Sequence, residues 1–482
     1  MVFNSIEFAI FLPIVFLLYW FVFNKHLKLQ NLFIVIVSYI FYGWWDWRFL
    51  FLIAFTSFCS WGGGLLIQKY RDNGKRAKFI STANIVLNLT ILGVFKYYDF
   101  FATSFANVFL EGKTDGLLLN IILPVGISFY TFQALSYSID VYKGKLEPTS
   151  DIIEFFAFVC FFPQLVAGPI ERATNLLPQF QKPRSFDYST AVDGSRQILW
   201  GLFKKMVVAD RCAIFADEVF SSYPTQTGSN LLLGAIMFSF QIYGDFSGYS
   251  DIAIGTAKLF GIKLMRNFNV PYFSRDIAEF WRRWHISLTT WFRDYIYIPL
   301  GGSRCSMPKI IRNTFVIFLV SGLWHGANWT FIAWGAYHAL LFLPLILLGK
   351  NRKYKAVVAS DRLLPNVREI FQILLTFLLV VIGWIIFRSE SISQAWDYIC
   401  GMWQWGTLKA SYRFFFQHGI RSISSVVLIM LIVEWLNRRN DHGLCIDMIK
   451  SPIVRYGIYI TIVFTLILVF KSEPSQFIYF QF

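Results

Sequence analysis

The chain has 482 residues, with 44 Lys and Arg against 29 Asp and Glu, a formal net charge of +15; hydrophobic residues make up 56%, aromatics 19% and charged residues 15%. A soluble domain is about 25% charged and stops enlarging its core near roughly 250–300 residues, so this composition excludes a soluble globular protein. The aromatic content excludes disorder, 6 Cys exclude a disulfide scaffold, and a multi-pass membrane protein with basic water-facing parts remains.

The elements follow in chain order. Ile6–Phe23 is apolar without a basic leader or a small-residue cleavage site, so it reads as a first span and not as a signal peptide. Lys25, His26 and Lys28 follow it, which puts the N-terminus outside and the first loop in the cytoplasm. Leu32–Tyr42 and Phe49–Ile67 are the next apolar runs, joined by a Trp-rich corner at 44–47 that suits a membrane interface. Lys69, Arg71, Lys75, Arg76 and Lys78 form a basic cytoplasmic loop. Phe79–Phe95 then exits, and Leu117–Ile139 returns to Lys143 and Lys145.

The middle is less regular. Phe155–Ile170 is apolar but interrupted by Pro163, Gly168 and Pro169, which predicts a broken or re-entrant segment buried in protein. Ser195–Phe220 is helical in pattern but carries Lys204, Lys205, Asp210 and Arg211. Leu231–Phe260 contains the polar string Gln241, Tyr243, Asp245, Ser247, Tyr249, Ser250 and Asp251. Arg266–Arg312 is basic and aromatic and is placed at the cytoplasmic interface. Phe315–Trp334, Gly335–Leu348, Ile370–Phe387, Ile423–Leu436 and Ile453–Phe470 complete about 11–12 membrane segments, with the C-terminus outside.

The basic excess has two readings: ordinary positive-inside charge, or attraction of an anionic ligand or lipid. Nucleic acid is not an expected partner, because no soluble basic domain is visible.

Ionisable groups inside membrane segments are costly, so each is a functional candidate. His325, in Ser321-Gly-Leu-Trp-His-Gly326, sits in an apolar span between two glycines that leave space beside it. A neutral buried imidazole suits a general base, and it equally suits a core hydrogen bond to a neighbouring helix. Arg282 and Arg283 beside His285 point to an interface, and His338 is expected to pack. His26, His418 and His442 fall in or near loops and are expected to be solvated. The histidines match no short metal motif, the cysteines form no C-x-x-C pair, and no metal or cofactor is expected. Walker A, dinucleotide and G-x-S-x-G motifs are absent, against an ATP-driven or serine-esterase activity.

Two segments carry a family resemblance. Residues 275–302, Arg-Asp-Ile-Ala-Glu-Phe-Trp-Arg-Arg-Trp-His-Ile-Ser-Leu-Thr-Thr-Trp-Phe-Arg-Asp-Tyr-Ile-Tyr-Ile-Pro-Leu-Gly-Gly, and residues 321–327, Ser-Gly-Leu-Trp-His-Gly-Ala, resemble the two motifs of the membrane-bound O-acyltransferases. Gln241–Asp251 and Phe162–Pro169 are further matches, similar to the bacterial branch that serves alginate and peptidoglycan O-acetylation and teichoic-acid D-alanylation. The resemblance spans essentially the whole chain and implies one all-α domain over 1–482. Its expected form is a ring of about 11–12 transmembrane helices around a thin core, with cytoplasmic and extracytoplasmic funnels joined by a tunnel.

The resemblance also implies the chemistry. His325 takes the position of the catalytic base and His285 that of the second tunnel residue. The donor is a cytoplasmic thioester, acetyl-CoA as substrate, whose phosphates would meet Arg282, Arg283, Arg293, Arg304, Lys204 and Lys205. Trp324, Asp245, Asp251 and Gln241 are candidate tunnel residues. The ending Phe477-Ile-Tyr-Phe-Gln-Phe482 in the tail 471–482 resembles the end of the small partner peptide of D-alanylation systems, which makes Tyr479 a candidate acyl relay; an interfacial aromatic anchor is the other reading. The expected function is acetyl transfer across the bacterial inner membrane to an extracytoplasmic polysaccharide, through a separate SGNH-type transferase. D-alanyl export to teichoic acid and a non-enzymatic transporter are the competing functions.

Overall fold

Lipid offers the backbone no hydrogen-bond partner, so apolar segments that enter it must satisfy themselves as helices. A computed structural model describes residues 1–114, 116–166, 168–404, 419–470 and 478, and among these residues the regular structure is helical. Among the described residues five helical stretches are long and apolar enough to cross a membrane: Phe49–Lys69, Gly74–Phe109, Trp329–Leu347, Val367–Arg388 and Pro452–Val469. Pro452–Val469 has no buried residue, as a helix facing lipid requires. The protein is a polytopic all-α membrane protein.

In chain order the helices are α1 (Ile6–Leu17), α2 (Leu27–Gly43), α3 (Phe49–Lys69), α4 (Gly74–Leu92), α5 (Tyr98–Phe109), α6 (Ile127–Tyr142), α7 (Ile152–Cys160), α8 (Phe162–Leu165), α9 (Ala173–Phe180) and α10 (Tyr188–Leu202). A π-helical turn, Phe203–Ala209, leads into α11 (Asp210–Ser221). Then come α12 (Gly228–Leu259), α13 (Ile277–Arg283), α14 (Ile286–Phe292), α15 (Met307–His325), α16 (Trp329–Leu347), α17 (Val367–Arg388), α18 (Ile392–Gly401), α19 (Ile420–Leu436) and α20 (Pro452–Val469). The described chain forms two compact units, Met1–Ser195 with Ala253–Met265, and Arg196–Ile252 with Arg266–Phe482.

In the first unit α3, α4 and α6 pack together. Gly64 of α3 lies against the Tyr137 ring, where a Cβ would come within 2.6 Å of the phenol oxygen. Asn88 on α4 donates to Ser60 on α3 at 3.3 Å, a polar contact of the kind that ties helices together in lipid. Two departures from the hydropathy pattern have local causes. The apolar run from Leu117 stays non-helical as far as Gly126, because Pro124 lacks an N–H and Gly126 is left-handed at φ +75°. Asp99 accepts the Leu119 and Asn120 N–H groups at 2.8 and 3.0 Å and so replaces helical partners there. The Phe155–Ile170 run is interrupted, as its prolines and glycine predict: α7 stops at Cys160, and α8 is one short turn with Pro163 near its start.

In the second unit, polar caps start the helices that matter for the site. Asp276 accepts the Glu279 N–H at 2.7 Å and starts α13, and Asn328 accepts the Thr330 N–H at 3.0 Å and starts α16. Asn366 and Glu369 form a capping box on α17.

Candidate active site

His325 ends α15, and the chain turns back at once into α16. The hairpin is tight because it is built on glycines. A Cβ at Gly322 would collide with the Phe331 carbonyl, one at Gly335 with the Phe318 carbonyl, and one at Gly326 with the Phe331 ring. The space that the flanking glycines leave is therefore filled by α16. His325 is buried and lies in an aromatic shell, with ring centroids 4.9 Å from Trp324, 5.1 Å from Trp334 and 5.4 Å from Phe387.

His285 sits between α13 and α14 in a left-handed backbone, φ 45° and ψ 54°. A non-glycine residue held there costs on the order of 1 kcal/mol and needs support from its surroundings. The loop 267–269 provides it by pairing with the turn: the Asn269 N–H donates to the Arg283 carbonyl at 2.9 Å, and the Ile286 N–H donates to the Asn267 carbonyl at 2.8 Å. The His285 ring meets Phe246 edge-on at 4.6 Å and lies 6.4 Å from the His325 ring, centroid to centroid.

The two histidines share a cavity of about 470 Å³. Trp281, Thr289, Thr290 and Ser321 also line it, and its charged lining is Arg282, Arg293 and Arg352. Arg282 spends one donor on the Asn351 carbonyl at 3.2 Å, while its Nε and second terminal nitrogen are buried with no partner among the described residues. Burial lowers the Arg282 guanidinium below its ordinary pKa; the carboxylates of Asp276 and Glu279 oppose that shift. A guanidinium stays cationic in proteins, so half-buried Arg282 is a cation with two buried nitrogens unspent among the described residues. Arg293 pairs with Asp294 at 2.7 Å, and Arg352 donates to Ser303 at 3.2 Å. The cavity thus combines two imidazoles, hydroxyls and three guanidinium groups. That set suits proton transfer beside an anionic ligand.

The remaining cationic candidates lie elsewhere. Arg283 is buried on Glu279 at 2.8 Å, and Arg304 is exposed outside the cavity lining. Lys204 and Lys205 follow each other in the π-helical turn, and both are buried. Lys204 pairs with Asp251 at 2.6 Å, and Lys205 pairs with Asp245 at 2.7 Å and Asp210 at 2.9 Å. These lysines neutralise internal carboxylates and do not line the cavity. Asp245, Asp251 and Gln241 are likewise outside the lining, while Trp324 packs on both histidine rings.

Asp245 has a second partner: its other oxygen accepts the Ile478 N–H at 2.6 Å, and Ile478 is buried. Tyr479, the next residue, lies outside the described residues, as does His418. His338 is fully buried among Phe280, Trp281, Trp334 and Tyr337. His442 departs from the solvated position expected of it: it is buried, and its Nδ1 accepts the Leu444 N–H at 3.2 Å.

Comparison with known proteins decides the family. The sequence profile of the membrane-bound O-acyltransferase family matches residues 146–387. A probable alginate O-acetylase, AlgI, of Pseudomonas aeruginosa is 42% identical over 413 residues, covering 85% of this chain and 76% of the relative. The chain belongs to the membrane-bound O-acyltransferase family. It is a membrane acyltransferase. The peptidoglycan O-acetyltransferase of Helicobacter pylori is 34% identical over 460 residues, covering 90% of this chain and 82% of the relative. The teichoic acid D-alanyltransferase of Bacillus subtilis is 31% identical over 290 residues, covering 56% and 70%.

Both histidine segments lie inside the matched family region. Sequence reasoning found His285, His325, Arg282 and Arg293, and missed Arg352, Thr289, Thr290 and Asn267. Arg352 lies outside the two motifs, and only folding brings it to Ser303. Asn267 carries no motif signal, since its role depends on a turn 18 residues further on.

Proposed function

We propose that the protein takes an acetyl group from cytoplasmic acetyl-CoA and passes it across the inner membrane for O-acetylation of an extracytoplasmic polysaccharide, an alginate-like polymer or peptidoglycan. The observation that carries this reading is the cavity in which His285 and His325 meet Arg282, whose Nε and second terminal nitrogen are buried with no partner among the described residues. The relatives named for alginate and peptidoglycan O-acetylation support the acetyl group and the polymer class. D-alanyl export fits less well, because the D-alanyltransferase of Bacillus subtilis matches 56% of the chain against 85% and 90% for those two.

In this mechanism Arg282, with Arg293 and Arg352, binds the phosphates of CoA. An acceptor hydroxyl attacks the thioester carbonyl, and His325 takes its proton. The C–S bond breaks, and the proton passes to the departing thiolate. The products are an acetyl ester and free CoA. The thioester is already activated, which accounts for the missing ATP motif. Base catalysis of this kind contributes typically 10²–10⁴-fold, and holding both reactants in one cavity adds a proximity effect.

The acceptor hydroxyl is that of Tyr479. A phenol has a pKa near 10 and needs a base to become a nucleophile. Ile478, one residue before the tyrosine, is buried and donates its N–H to Asp245, which supports this choice of acceptor. The aryl ester would then pass its acetyl to an extracytoplasmic SGNH-type partner. Both termini face outside in this reading.

Purified protein incubated with acetyl-labelled CoA tests it. Covalent label is expected on the wild type, on a peptide containing Tyr479, and not on Tyr479→Phe. Equal labelling of Tyr479→Phe sinks the relay. No label and no thioester cleavage in the wild type sinks the donor.

A further inference from the structure

The left-handed turn at His285 is held by Asn267. Asn267 is completely buried, and its side-chain oxygen faces three groups: the Ser287 N–H at 3.3 Å, the Ser287 hydroxyl at 2.9 Å and the His285 Nδ1 at 3.1 Å. Its amide nitrogen donates to the Ser250 hydroxyl on α12 at 3.0 Å.

These contacts determine which end of the amide is oxygen. The Ser287 backbone N–H can only donate, so it must meet an acceptor. A flipped amide would place two donors against each other. With the oxygen so assigned, the His285 Nδ1 must carry the proton, because two acceptors at 3.1 Å would repel. The neutral ring then keeps its lone pair on Nε2. That nitrogen is buried and has no partner among the described residues, and His285 lines the cavity.

We infer that Asn267 is a positioning residue that holds His285 in the Nδ1–H tautomer, so that the cavity receives a hydrogen-bond acceptor and not a donor. The group that His285 recognises is therefore an O–H or S–H donor, such as the acceptor hydroxyl or the released CoA thiol. The proton of that group points at Nε2, which orients its oxygen or sulfur. The backbone bond from the Ile286 N–H to the Asn267 carbonyl serves the same end by fixing the turn. This inference rests on the acyl-transfer reading only for the identity of the donor. The tautomer itself does not depend on it.

The test is the ¹⁵N imidazole spectrum of histidine-labelled protein, with the His285 resonances assigned by their loss in His285→Gln. The wild type should show a protonated Nδ1 and a bare Nε2 for His285. Asn267→Asp keeps an acceptor and should keep that pattern, while Asn267→Leu should show both tautomers. Loss of one hydrogen bond predicts a fall of roughly tenfold in kcat/KM for thioester cleavage in Asn267→Leu, with Asn267→Asp closer to wild type. A wild-type His285 protonated at Nε2 overturns the inference, whatever the variants do. So does an unchanged tautomer in folded Asn267→Leu. Failure of acetyl-CoA as donor would leave the wild-type spectrum as expected and so would be told apart.

Discussion

At the scale of single residues, some groups of the site act on the reactants and others support them. His325 and His285 share the cavity, and the Asn267 side chain gives His285 a polar partner whose geometry assigns its proton. Arg282 lines the cavity with buried nitrogens that have no partner among the described residues, so it should matter more for donor binding than the paired Arg283 beside it. A charge-assisted hydrogen bond is worth about 1.5–3 kcal/mol. Arg282→Gln should therefore raise the KM for acetyl-CoA by roughly ten- to a hundredfold and change kcat less. Steady-state kinetics of CoA release check this. An unchanged KM would remove Arg282 from the donor site. Arg283→Gln should instead lower the melting temperature, since it leaves the fully buried Glu279 carboxylate with Arg275 as its one remaining guanidinium partner among the described residues.

At the scale of elements, two close approaches place the chemistry. The α15–α16 hairpin depends on Gly322 and Gly335, each pressed on a carbonyl of the other helix. Gly335→Val should destabilise the protein by about 1–3 kcal/mol or more and displace His325, because the added carbons have nowhere to go. Thermal unfolding in detergent, with CoA release on the folded fraction, measures both effects. Gly244 and Gly248 of α12 lie against the π-helical turn, where a Cβ at Gly248 would come within 2.8 Å of the Gly201 carbonyl and 3.1 Å of the Lys205 nitrogen. That approach is what lets Lys205 reach Asp245. Removing one partner of a buried ion pair costs about 3–5 kcal/mol, so Lys205→Met should lower stability on that order. Asp245→Asn keeps the shape but weakens the acceptor for the Ile478 N–H. It should reduce covalent labelling of Tyr479 more than thioester binding, and an unaffected label would mean that this bond does not position the tail.

At the scale of the whole molecule, the apolar majority and the +15 charge of the sequence already spoke for a helical membrane protein. Helix breakers also made the broken α7–α8 region legible, because Pro163 and Gly168 act locally. The run from Leu117 was not legible as non-helical, since its hydropathy hides the effect of Pro124 and of left-handed Gly126. The site was legible where motif and chemistry coincide, at His285 and His325. It was not legible where distant residues meet. Lys204 and Lys205 read as ligand charges by type, yet folding buries them on Asp251 and Asp245. Arg352 lies outside both motifs, yet it lines the cavity. Sequence shows which groups are present, and only the fold shows which carboxylate each cation has already met.

The central claim is that the histidine cavity cleaves an acetyl thioester by base catalysis at His325. Its most direct measurement is the rate of free CoA thiol release from acetyl-CoA by purified wild type and His325→Ala, both shown to be folded by their melting temperatures. The account predicts that His325→Ala loses on the order of 10²–10⁴-fold in rate while still binding the donor. Thiol release at the wild-type rate in a folded His325→Ala protein would contradict it.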